Sequence, residues 1–456
     1  MTTTSEVTET TTDGAPPEPY SPGPPAAASP TAALAAADPP QGDHDLAVVG
    51  AGVIGLAVAR EALRRRPRSS VVVLEREREI ASHQSSHNSG VVHAGVYYEP
   101  GSLKARLCVE GARELFAYCE ARGVAIARPG KVIVATQADE LPRLDELERR
   151  GLANGVPGLR RIGLAELAEI EPHVRGVAAL HSPATGLVHF AAVARALAED
   201  VRAGGGVVVT RAEVTRVDTG SSEAGPGAHD GSGDKRSPLT LRLAGGAEVR
   251  AQRAVFCAGA WSDRLAEAAG AQSDPRVVPF RGAYLRLRAE HRELVRGLVY
   301  PVPDPALPFL RVHLTRHADG EVLVGPTALI AGARDAYRLS RIRPRDLAST
   351  LFWPGTWRMG RRWWRTGLRE IHHAASPVAL AAEAARLVPE LRAEDLEPAF
   401  AGVRAQAVGR DGSLIDDFAF SETGGVLHVR NAPSPAATAS LAIAREIVDR
   451  LRLPHR

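Results

Sequence analysis

Lysine is almost missing from this 456-residue sequence, and cysteine is scarce. Lysine occurs only at Lys104, Lys131 and Lys235, so nearly all of the 56 basic side chains are arginines. The formal net charge of +3 is small for this length and gives no indication of a nucleic-acid partner. The three cysteines include no CxxC pair. We therefore expect no disulfide framework, no metal site and a reducing, cytoplasmic environment.

Long apolar runs and targeting signals are missing as well. No run approaches the roughly 18 to 20 apolar residues that span a bilayer, so membrane contact would have to be peripheral. Residues 1–42 consist largely of Thr, Pro, Ala and Ser, a composition that predicts a disordered tail. They have neither the pattern of a secretory signal nor the arginines of a mitochondrial presequence. The remaining length, with 44% hydrophobic residues overall, predicts a soluble globular chain of two domains.

A βαβ unit begins directly after the tail. An apolar strand at 46–49 is followed by a glycine turn, a helix to about Arg66 and a second apolar strand at 71–74. Such a unit implies a parallel sheet. Its turn, Gly50 to Gly55, reads GAGVIG, a GxGxxG motif between a strand and a helix. In that context the motif predicts a bound dinucleotide.

Each glycine of the motif has its own task. Gly50 permits the tight turn, Gly52 lets a pyrophosphate approach the backbone, and Gly55 lets helix and strand pack closely. Glu75 ends the second strand, 25 residues after Gly50, where a carboxylate can accept hydrogen bonds from the adenosine ribose hydroxyls. Glu75 and the adjacent Arg76 are therefore part of the predicted cofactor site.

The segment from His83 to His93 decides between FAD and NAD. It is crowded with hydroxyl, amide and imidazole groups, which suit a loop over the pyrophosphate and one edge of a flavin. An NAD domain would continue here with another βαβ repeat. The other interpretation is a solvated polar loop. The segment favours FAD, with contacts from Ser85, Ser86, Asn88, Ser89 and Gly90.

Rossmann-type strands recur far along the chain, which predicts a discontinuous nucleotide domain. They lie at 207–210, 239–243 and 254–257, around a Gly/Ser/Asp-rich stretch at 220–238 that predicts a flexible hairpin insertion. Segments of strand-like alternation at 131–136 and 282–288 would form a second domain.

Several strings resemble one family. SSHNSGVVHAGVYYEPGSLKARLCVEG, at 85–111, resembles the L-2-hydroxyglutarate oxidases and dehydrogenases of the D-amino-acid-oxidase-like FAD superfamily. Further strings similar to that family are YPVPDP at 300–305, HLTR at 313–316, GVRAQA at 402–407, LIDDF at 414–418 and NAPSPAAT at 431–438. The resemblance covers about residues 43 to 452.

The resemblance implies an α/β fold with an α+β second domain. The FAD domain would be Rossmann-like and of the glutathione-reductase type, and the substrate domain would carry an antiparallel sheet. We expect the FAD domain at 43–110, 185–275 and 400–456, and the substrate domain at 111–184 and 276–399.

The resemblance also implies FAD contacts in the second half of the chain. Ala258 and Gly259 resemble the superfamily's strand-end glycine turn, and Val214 resembles the valine whose backbone meets the adenine. A helix is expected to begin near Ala436, and its amino end would face the negative charge of reduced flavin. The residues expected there are Pro435, Ala436, Ala437 and Thr438.

Substrate residues follow from the same resemblance. Arg404 stands where the superfamily carries an arginine that clamps the substrate carboxylate, a task suited to a guanidinium fork. The alternative is a surface ion pair. His93 and His313 are both placed by motif to take the hydroxyl proton, although each also fits a structural role. A dicarboxylate needs a second cation, for which the sequence does not rank Arg316, Lys104 and Arg281.

The segment from Trp353 to Arg369 holds four of the five tryptophans amid five arginines. Such a mixture suits a helix lying at a membrane surface, here the inner face of the cell membrane. That contact would fit electron transfer to a quinone, and O2 is the other acceptor considered. The alternative is a helix whose tryptophans pack on their own domain.

Three functions remain open at this point. The leading one is FAD-dependent oxidation of L-2-hydroxyglutarate, a small dicarboxylate, to 2-oxoglutarate by hydride transfer. A second keeps the flavin but oxidises an amino or imino acid, as glycine oxidase relatives do. A third is a flavin-binding protein without turnover, in which Arg311 and Ala283 replace the glycine and glutamate expected of the family.

Overall fold

The computed structural model describes residues 42–219, 238–317 and 319–452. The expected disordered tail, apart from its last residue, and the expected hairpin insertion, apart from Pro238, lie outside the described residues.

The described strands belong to three sheets. In chain order they are β1 (Asp43–Val49), β2 (Val71–Leu74), β3 (Val91–Val92), β4 (Ile126–Ala127), β5 (Lys131–Ala135), β6 (Arg160–Ile162), β7 (Ala178–Ser182), β8 (Gly186–Val188), β9 (Val207–Val209), β10 (Val214–Asp218), β11 (Leu239–Leu243), β12 (Glu248–Phe256), β13 (Arg276–Leu287), β14 (Leu298–Pro301), β15 (His313–Arg316), β16 (Val322–Gly325), β17 (Leu329–Ile330), β18 (Leu396–Val408), β19 (Ala419–Thr423) and β20 (Val426–Asn431).

The described helices pack against these sheets or lie at the surface. They are α1 (Val53–Arg65), α2 (Leu103–Arg122), α3 (Leu141–Ala153), α4 (Leu164–Ile170), α5 (Phe190–Ala203), α6 (Ser262–Ala268), α7 (Pro344–Leu351), α8 (Pro354–Ala375), α9 (Pro377–Ala384) and α10 (Ser440–Leu451). Within the described ranges, no helix combines the length and the apolar character needed to cross a bilayer.

The first sheet has a parallel centre and antiparallel margins. Its order is β10-β11-β12-β1-β2-β9, with β20 beside β12 and β19 beside β20. Strand β1 runs parallel to both β12 and β2, as the βαβ pattern predicts. Helices α1, α5 and α10 bury their apolar faces in one core with this sheet. The carboxyl ends of the parallel strands therefore open at one edge, where α/β proteins bind their ligands.

The second sheet has nine strands and is antiparallel at every pairing except β5 with β14. Its order is β17-β13-β16-β15-β14-β5-β7-β6, with β18 beside β13. Val132, Val299 and Leu314 lie on one face, in a core with residues of α4 and α9. Because side chains alternate between faces, the neighbouring positions Leu298 and Thr315 lie on the other face. A small third sheet, β3-β8-β4, lies under that other face, where Val91 and Leu187 pack on Leu298.

One ion pair is buried completely between α6 and the loop after β17. Arg334 and Asp263 are 1% and 2% exposed, and Nη2 of Arg334 donates to Oδ2 of Asp263 at 2.8 Å. The same arginine donates to the carbonyl of Ala260. Burial alone would raise the pKa of Asp263, but the hydrogen bonds and charge of Arg334 hold it below its ordinary value. The pair joins a segment of the second sheet to the turn that follows β12.

Removing one partner of this pair should be strongly destabilising. Asp263→Ala leaves the Arg334 guanidinium buried without its counter-ion, which costs about 3 to 5 kcal/mol in comparable sites. Thermal unfolding monitored by circular dichroism measures the loss. The matched control is Asp218→Ala, which removes an aspartate that pairs with Arg216 and Arg242 at the surface and should leave the melting temperature nearly unchanged. Equal melting temperatures for the two variants would contradict the assigned role of the buried pair.

Candidate functional site

A cavity of about 680 Å³ opens between the carboxyl edge of the first sheet and the second sheet. Residues at the ends of β1, β2, β12 and β20 line one side, and Tyr284 of β13 and Arg404 of β18 line the other. Its volume falls in the range of small-molecule and cofactor sites.

The glycine turn forms one wall of this cavity by close backbone contact. Gly50 has φ +104°, and a Cβ there would stand 2.4 Å from the carbonyl oxygen of Cys257. A Cβ on Gly55 would stand 2.0 Å from the carbonyl oxygen of Gly50. Only glycine permits these approaches, which bring the start of α1 against the strand edge. The amide of Val53 donates to Oγ of Ser85 at 3.0 Å, so the polar loop is tied to the amino end of α1.

Glu75 is buried at the end of β2 and organises the same wall. Its two carboxylate oxygens accept hydrogen bonds from the amides of Ala51, at 2.8 Å, and Glu77, at 2.9 Å. Arg76 lies over the ring of Trp261, with 3.4 Å between guanidinium carbon and ring centroid. All three side chains border the cavity together with Val214 at the start of β10.

The polar loop is held in shape by its own side chains. Asn88 donates from Nδ2 to the carbonyls of Gln84 and Ser85 and accepts at Oδ1 from the amide of Gly90. Asn88 is therefore largely used within the loop. Ser85, Asn88 and Ser89 line the cavity, whereas the expected contacts Ser86 and Gly90 do not.

The C-terminal helix begins later than the sequence indicated. Helix α10 starts at Ser440, and residues 434–439 form successive turns. The expectation of a helix from Ala436 is corrected, because the amide of Ala436 already donates to the carbonyl of Pro433 at 2.9 Å. Among the described residues, the amides of Ala437 and Thr438 have no hydrogen-bond acceptor, and both residues line the cavity. These two N–H groups are therefore free to donate hydrogen bonds to a ligand at the C-terminal side of the cavity.

The two ends of the chain converge at this cavity. Oγ1 of Thr438 accepts a hydrogen bond from the amide of His93 at 3.1 Å, so the C-terminal turns contact the polar loop. The glycine wall, the Glu75 carboxylate and the Ala437 and Thr438 amides border one continuous space. These are the donor and acceptor types that FAD requires for its ribose, its pyrophosphate and the negative end of its ring. The residues present fit that cofactor.

Most of the expected cofactor residues border the cavity. Those that do are Gly50, Gly52, Gly55, Glu75, Arg76, Ser85, Asn88, Ser89, Val214, Ala258, Gly259, Pro435, Ala436, Ala437 and Thr438.

Arg404 projects into the cavity from β18. Its side chain is exposed to the cavity, and its guanidinium carbon lies 4.6 Å from the ring centroid of Phe309. No described carboxylate forms an ion pair with it, so the alternative of a surface ion pair is not what the structure shows. Gly402 in the same strand lies so close to the polar loop that a Cβ would stand 2.5 Å from the carbonyl oxygen of His87.

The two expected histidines have different positions. His93 lines the cavity, with Nε2 3.3 Å from Oγ of Ser434 and with a buried Nδ1 that has no partner. Burial, with smaller contributions from Lys131, His313 and Lys104, lowers the pKa of His93 to about 3. His313 is buried in β15 outside the cavity lining, and its Nδ1 lies 2.9 Å from the carbonyl oxygen of Arg311. Burial lowers its pKa to about 4. Both are neutral near pH 7.

None of the three residues expected as the second cation, Arg316, Lys104 and Arg281, lines the cavity. Arg281 donates from Nη2 to the carbonyl of Tyr337 at 3.5 Å. Arg316 donates to the carbonyls of Arg292 and Val295, at 3.2 and 3.1 Å, and does not line the cavity. Strand alternation places Arg316 on the face of β15 that carries Leu314 of the aliphatic core, opposite to His313. Lys104 donates to both the carbonyl and the carboxylate of Asp416 at 2.8 Å, which satisfies its charge.

Sequence reasoning missed two residues close to this site. Tyr284 lines the cavity, and burial raises its pKa to about 12. Lys131 begins β5 and is 2% exposed. The sequence does hold a clue to Lys131. One of only three lysines in the chain stands directly before the apolar residues of the string KVIVA, where a buried strand is expected.

The two departures from the family pattern lie outside the cavity lining. Arg311 pairs with Glu383, and Ala283 does not border the cavity. They therefore leave the cavity wall intact.

Comparisons with known proteins agree with this geometry. Residues 45–450 match the family described as FAD dependent oxidoreductase. The chain is 44% identical to the mitochondrial L-2-hydroxyglutarate dehydrogenase of Nematostella vectensis, across 90% of this chain and 91% of that protein. It is 40% identical to the L-2-hydroxyglutarate dehydrogenase of Indibacter alkaliphilus, across 89% and 98%. The dithionite-reduced, FAD-bound L-alpha-glycerophosphate oxidase of Mycoplasma pneumoniae has the same fold, with TM-score 0.71, 23% identity and coverage of 91% and 96%.

Gly55→Ala should abolish retention of the flavin. The added Cβ forces α1 away from the Gly50 carbonyl, a strain of about 1 to 3 kcal/mol that falls on the cofactor wall. Flavin absorbance per protein after purification measures retention. Gly360→Ala is the matched control, because that glycine lies in α8 with nothing within 4 Å of a Cβ, and it should purify with the full flavin content. Full flavin in Gly55→Ala would contradict the role given to the glycine turn.

Proposed function

The chain belongs to the FAD dependent oxidoreductase family, and on that premise we propose that it oxidises L-2-hydroxyglutarate to 2-oxoglutarate. The observation that carries the proposal is the unpaired guanidinium of Arg404 in a cavity that also exposes a neutral histidine. Such a pair suits a 2-hydroxy acid, which offers a carboxylate to a cation and a hydroxyl proton to a base. The identity of the hydroxy acid is proposed from two L-2-hydroxyglutarate dehydrogenases, which are 40% to 44% identical to this protein across about 90% of the chain.

We propose that one part of the chain binds FAD and another covers the substrate, and that each part corresponds to one of the two large sheets. The FAD-binding part would comprise residues 43–110, 185–275 and 400–456, in the manner of glutathione-reductase-type domains. Residues 111–184 and 276–399 would cover the substrate. The distribution of strands supports this division, because the first sheet draws on the former ranges and most of the second sheet on the latter. The exception is β18, which carries Arg404 from the last FAD range into the second sheet.

Two side chains have proposed roles in the reaction. Arg404 holds the C1 carboxylate by two parallel hydrogen bonds, which fixes the orientation of C2. His93 accepts the hydroxyl proton, since it lines the cavity in its neutral form and His313 does not line it. FAD, when bound, supplies the acceptor for the hydride that leaves C2.

Anaerobic addition of L-2-hydroxyglutarate to the purified yellow protein should bleach the flavin absorbance band, and the D isomer should not. The difference follows because a carboxylate held by Arg404 presents only one face of C2. Stopped-flow absorbance measures the rate. Absence of bleaching with both isomers defeats the proposal, and ammonia release from an amino-acid panel would instead support the amino-acid oxidase alternative.

Two arginine variants sharpen this experiment. Arg404→Met should lower the second-order bleaching rate by about 100-fold, the effect of losing charge-assisted hydrogen bonds. Arg316→Met removes a cation of the same sheet that lies outside the cavity lining and should bleach at the wild-type rate. Adding oxygen or a quinone after bleaching identifies the electron acceptor.

We also propose that α8 docks on an anionic lipid surface, where a quinone would take the electrons. The helix carries Trp357 and Trp364, which are 66% and 56% exposed, next to Phe352, which is 85% exposed. Trp353 instead packs inside and donates from Nε1 to the carbonyl of Val408, so one of the tryptophans follows the alternative expectation. The helix kinks at Trp363.

The charges of α8 support an anionic partner. Most arginines of the described chain have a carboxylate within 4.0 Å, but no described carboxylate pairs with the exposed guanidinium groups of this helix. Those groups belong to Arg361, Arg362, Arg365 and Arg369. The single acidic residue of α8, Glu370, accepts from the amide of Ala328 and is turned to the protein. Exposed aromatic rings beside unpaired cations are typical of helices that lie in the headgroup region.

The double change Trp357→Ala and Trp364→Ala should weaken co-sedimentation with phosphatidylglycerol-rich vesicles about tenfold or more, because two apolar side chains lose their burial in the interface. The matched control changes Leu152 and Leu164, which are 57% and 54% exposed on α3 and α4, to alanine. It should bind like the wild type. Equal binding of the wild type to neutral phosphatidylcholine vesicles would overturn the electrostatic part of the proposal.

A further inference from the structure

Two cations near the candidate site have no counter-ion in the described chain. Arg404 lines the cavity, and Lys131 is buried at the start of β5, outside the cavity lining. Neither has a hydrogen bond or an ion pair to any described side chain. A buried charge without a partner is costly, so a folded protein keeps one chiefly where a ligand supplies the opposite charge.

Strand register places Lys131 on the face of the second sheet that carries Tyr300 and His313, opposite the aliphatic core. Lys131 is paired with Leu298 of β14, and Leu298 with Thr315 of β15. Side chains alternate along strands, so Lys131, Tyr300 and His313 share that face. Tyr300 and His313 are in fact stacked, with ring centroids 4.1 Å apart. Lys131 and the stacked pair thus form one polar patch in a sheet whose opposite face is an aliphatic core.

The surroundings of the Lys131 ammonium are aromatic, not acidic. Its Nζ lies 4.4 Å from the ring centroid of Tyr97 and 4.9 Å from that of Tyr300. The hydroxyl of Tyr97 is buried and has no hydrogen-bond partner among the described residues. An ammonium group and an unpartnered phenol next to each other provide the donors that a carboxylate accepts.

Packing connects this patch to the cavity wall, because Tyr300 and Tyr97 lie in one apolar cluster with Val91, which lines the cavity. The positive charge of Lys131 contributes to the lowered pKa of both His93, which lines the cavity, and His313. Arg404 also acts on His313. Lys131 therefore acts on both histidines, and Arg404 acts on His313.

We infer that Lys131, with the hydroxyl of Tyr97, recognises the second carboxylate of the substrate and makes the site selective for dicarboxylates. The inference rests on the proposed function for the identity of the substrate. Arg404 and Lys131 then hold the two ends of a five-carbon diacid, and the reacting hydroxyl lies nearer the Arg404 end. Lys131 is a specificity-determining residue, since it contacts the substrate away from the reacting carbon.

The inference also gives a pH dependence. Burial lowers the pKa of Lys131 to about 7, so its charge is present below that pH and is lost as the pH rises through it. The neighbouring titratable groups have pKa values well away from that of Lys131. Burial lowers the pKa of His93 to about 3 and that of His313 to about 4, and it raises the pKa of Cys108 to about 12. Burial also raises the pKa of both Tyr97 and Tyr300 above the ordinary value of a tyrosine. Burial also lowers the pKa of the Arg404 guanidinium from its ordinary value, and Lys104 is paired with Asp416.

The test compares wild-type holoenzyme with Lys131→Met, which keeps the length of the side chain and removes its charge. In wild type, affinity for the unreactive diacid glutarate, followed by its perturbation of the flavin spectrum, should fall as the pH rises from 6 to 9. In Lys131→Met we expect affinity about 10- to 100-fold weaker at pH 6 and independent of pH, the effect of one lost charge-assisted contact. Butyrate, which has one carboxylate, should bind both proteins equally.

Turnover gives a second readout. The ratio of kcat/KM for L-2-hydroxyglutarate to that for L-2-hydroxyvalerate should fall at least about tenfold in Lys131→Met, mainly through KM. Arg316→Met, the matched loss of a cation in the same sheet, should leave the ratio unchanged. Lys131→Met should also melt at a higher temperature than wild type, because a buried unpaired charge is removed. That gain shows that the variant is folded.

The outcomes separate this inference from the proposed function. If wild type binds glutarate in the manner described but L-2-hydroxyglutarate bleaches nothing, the site for a diacid stands and the proposed substrate falls. If L-2-hydroxyglutarate bleaches wild type and Lys131→Met keeps both its glutarate affinity and its selectivity ratio, the role of Lys131 is overturned. If Lys131→Met loses its flavin, the glutarate titration and the selectivity ratio are measured instead with Lys131→Gln, which has a shorter neutral side chain. Wild-type values of both quantities in Lys131→Gln would likewise overturn the role of Lys131.

Discussion

Backbone meets backbone where β1 turns into α1, with no room left for a side chain. The carbonyl oxygens of Cys257 and Gly50 occupy the positions where the Cβ atoms of Gly50 and Gly55 would stand. This contact brings the amino end of α1 to the carboxyl edge of the first sheet, and that edge is one wall of the cavity. Glu75, the polar loop and the C-terminal turns are then arranged around it through the amides of Ala51, Val53 and His93. Without the close contact at the glycines, these three hydrogen bonds would not bring Glu75, the polar loop and the C-terminal turns to the same cavity.

The second sheet brings charged and polar side chains near the cavity, although of its unpaired cations Arg404 lines the cavity and Lys131 does not. The second sheet buries aliphatic side chains on one face and turns Lys131, Tyr300 and His313 to the other. Aromatic rings, and not carboxylates, surround the cations there, so the positive charge remains available to a ligand. An unpaired buried charge lowers the stability of the protein without ligand. Burial, with a smaller contribution from Lys131, lowers the pKa of both histidines. Under the proposed function, a bound dianion would offset the Lys131 contribution, so substrate recognition and the proposed base would be coupled.

Local patterns in the sequence predicted the cofactor side better than the substrate side. The βαβ unit, with its strand at Val71–Leu74, is present because a short motif between a strand and a helix specifies its own geometry. Position in a strand is a weaker guide, since the face on which a residue lies depends on pairing with distant strands. Lys131 is matched to a partner at 298, far along the chain, and was missed for that reason. Arg316 could have been excluded by alternation alone, because it stands at odd spacing from His313. The start of α10 was misplaced because the prolines before it resemble a helix start, whereas they form a series of turns.

The near absence of lysine has a practical chemical consequence. Both lysines in the described ranges are buried, and the positive surface is built from guanidinium groups. Reagents that acylate or reductively alkylate primary amines find little to modify on that surface, because guanidinium groups stay protonated and react poorly with them. The Lys131 amine, which is half unprotonated near neutral pH, is instead a nucleophile enclosed by the protein. Among the described residues, a small amine-directed electrophile shaped like a diacid would therefore label this interior amine in preference to the exterior.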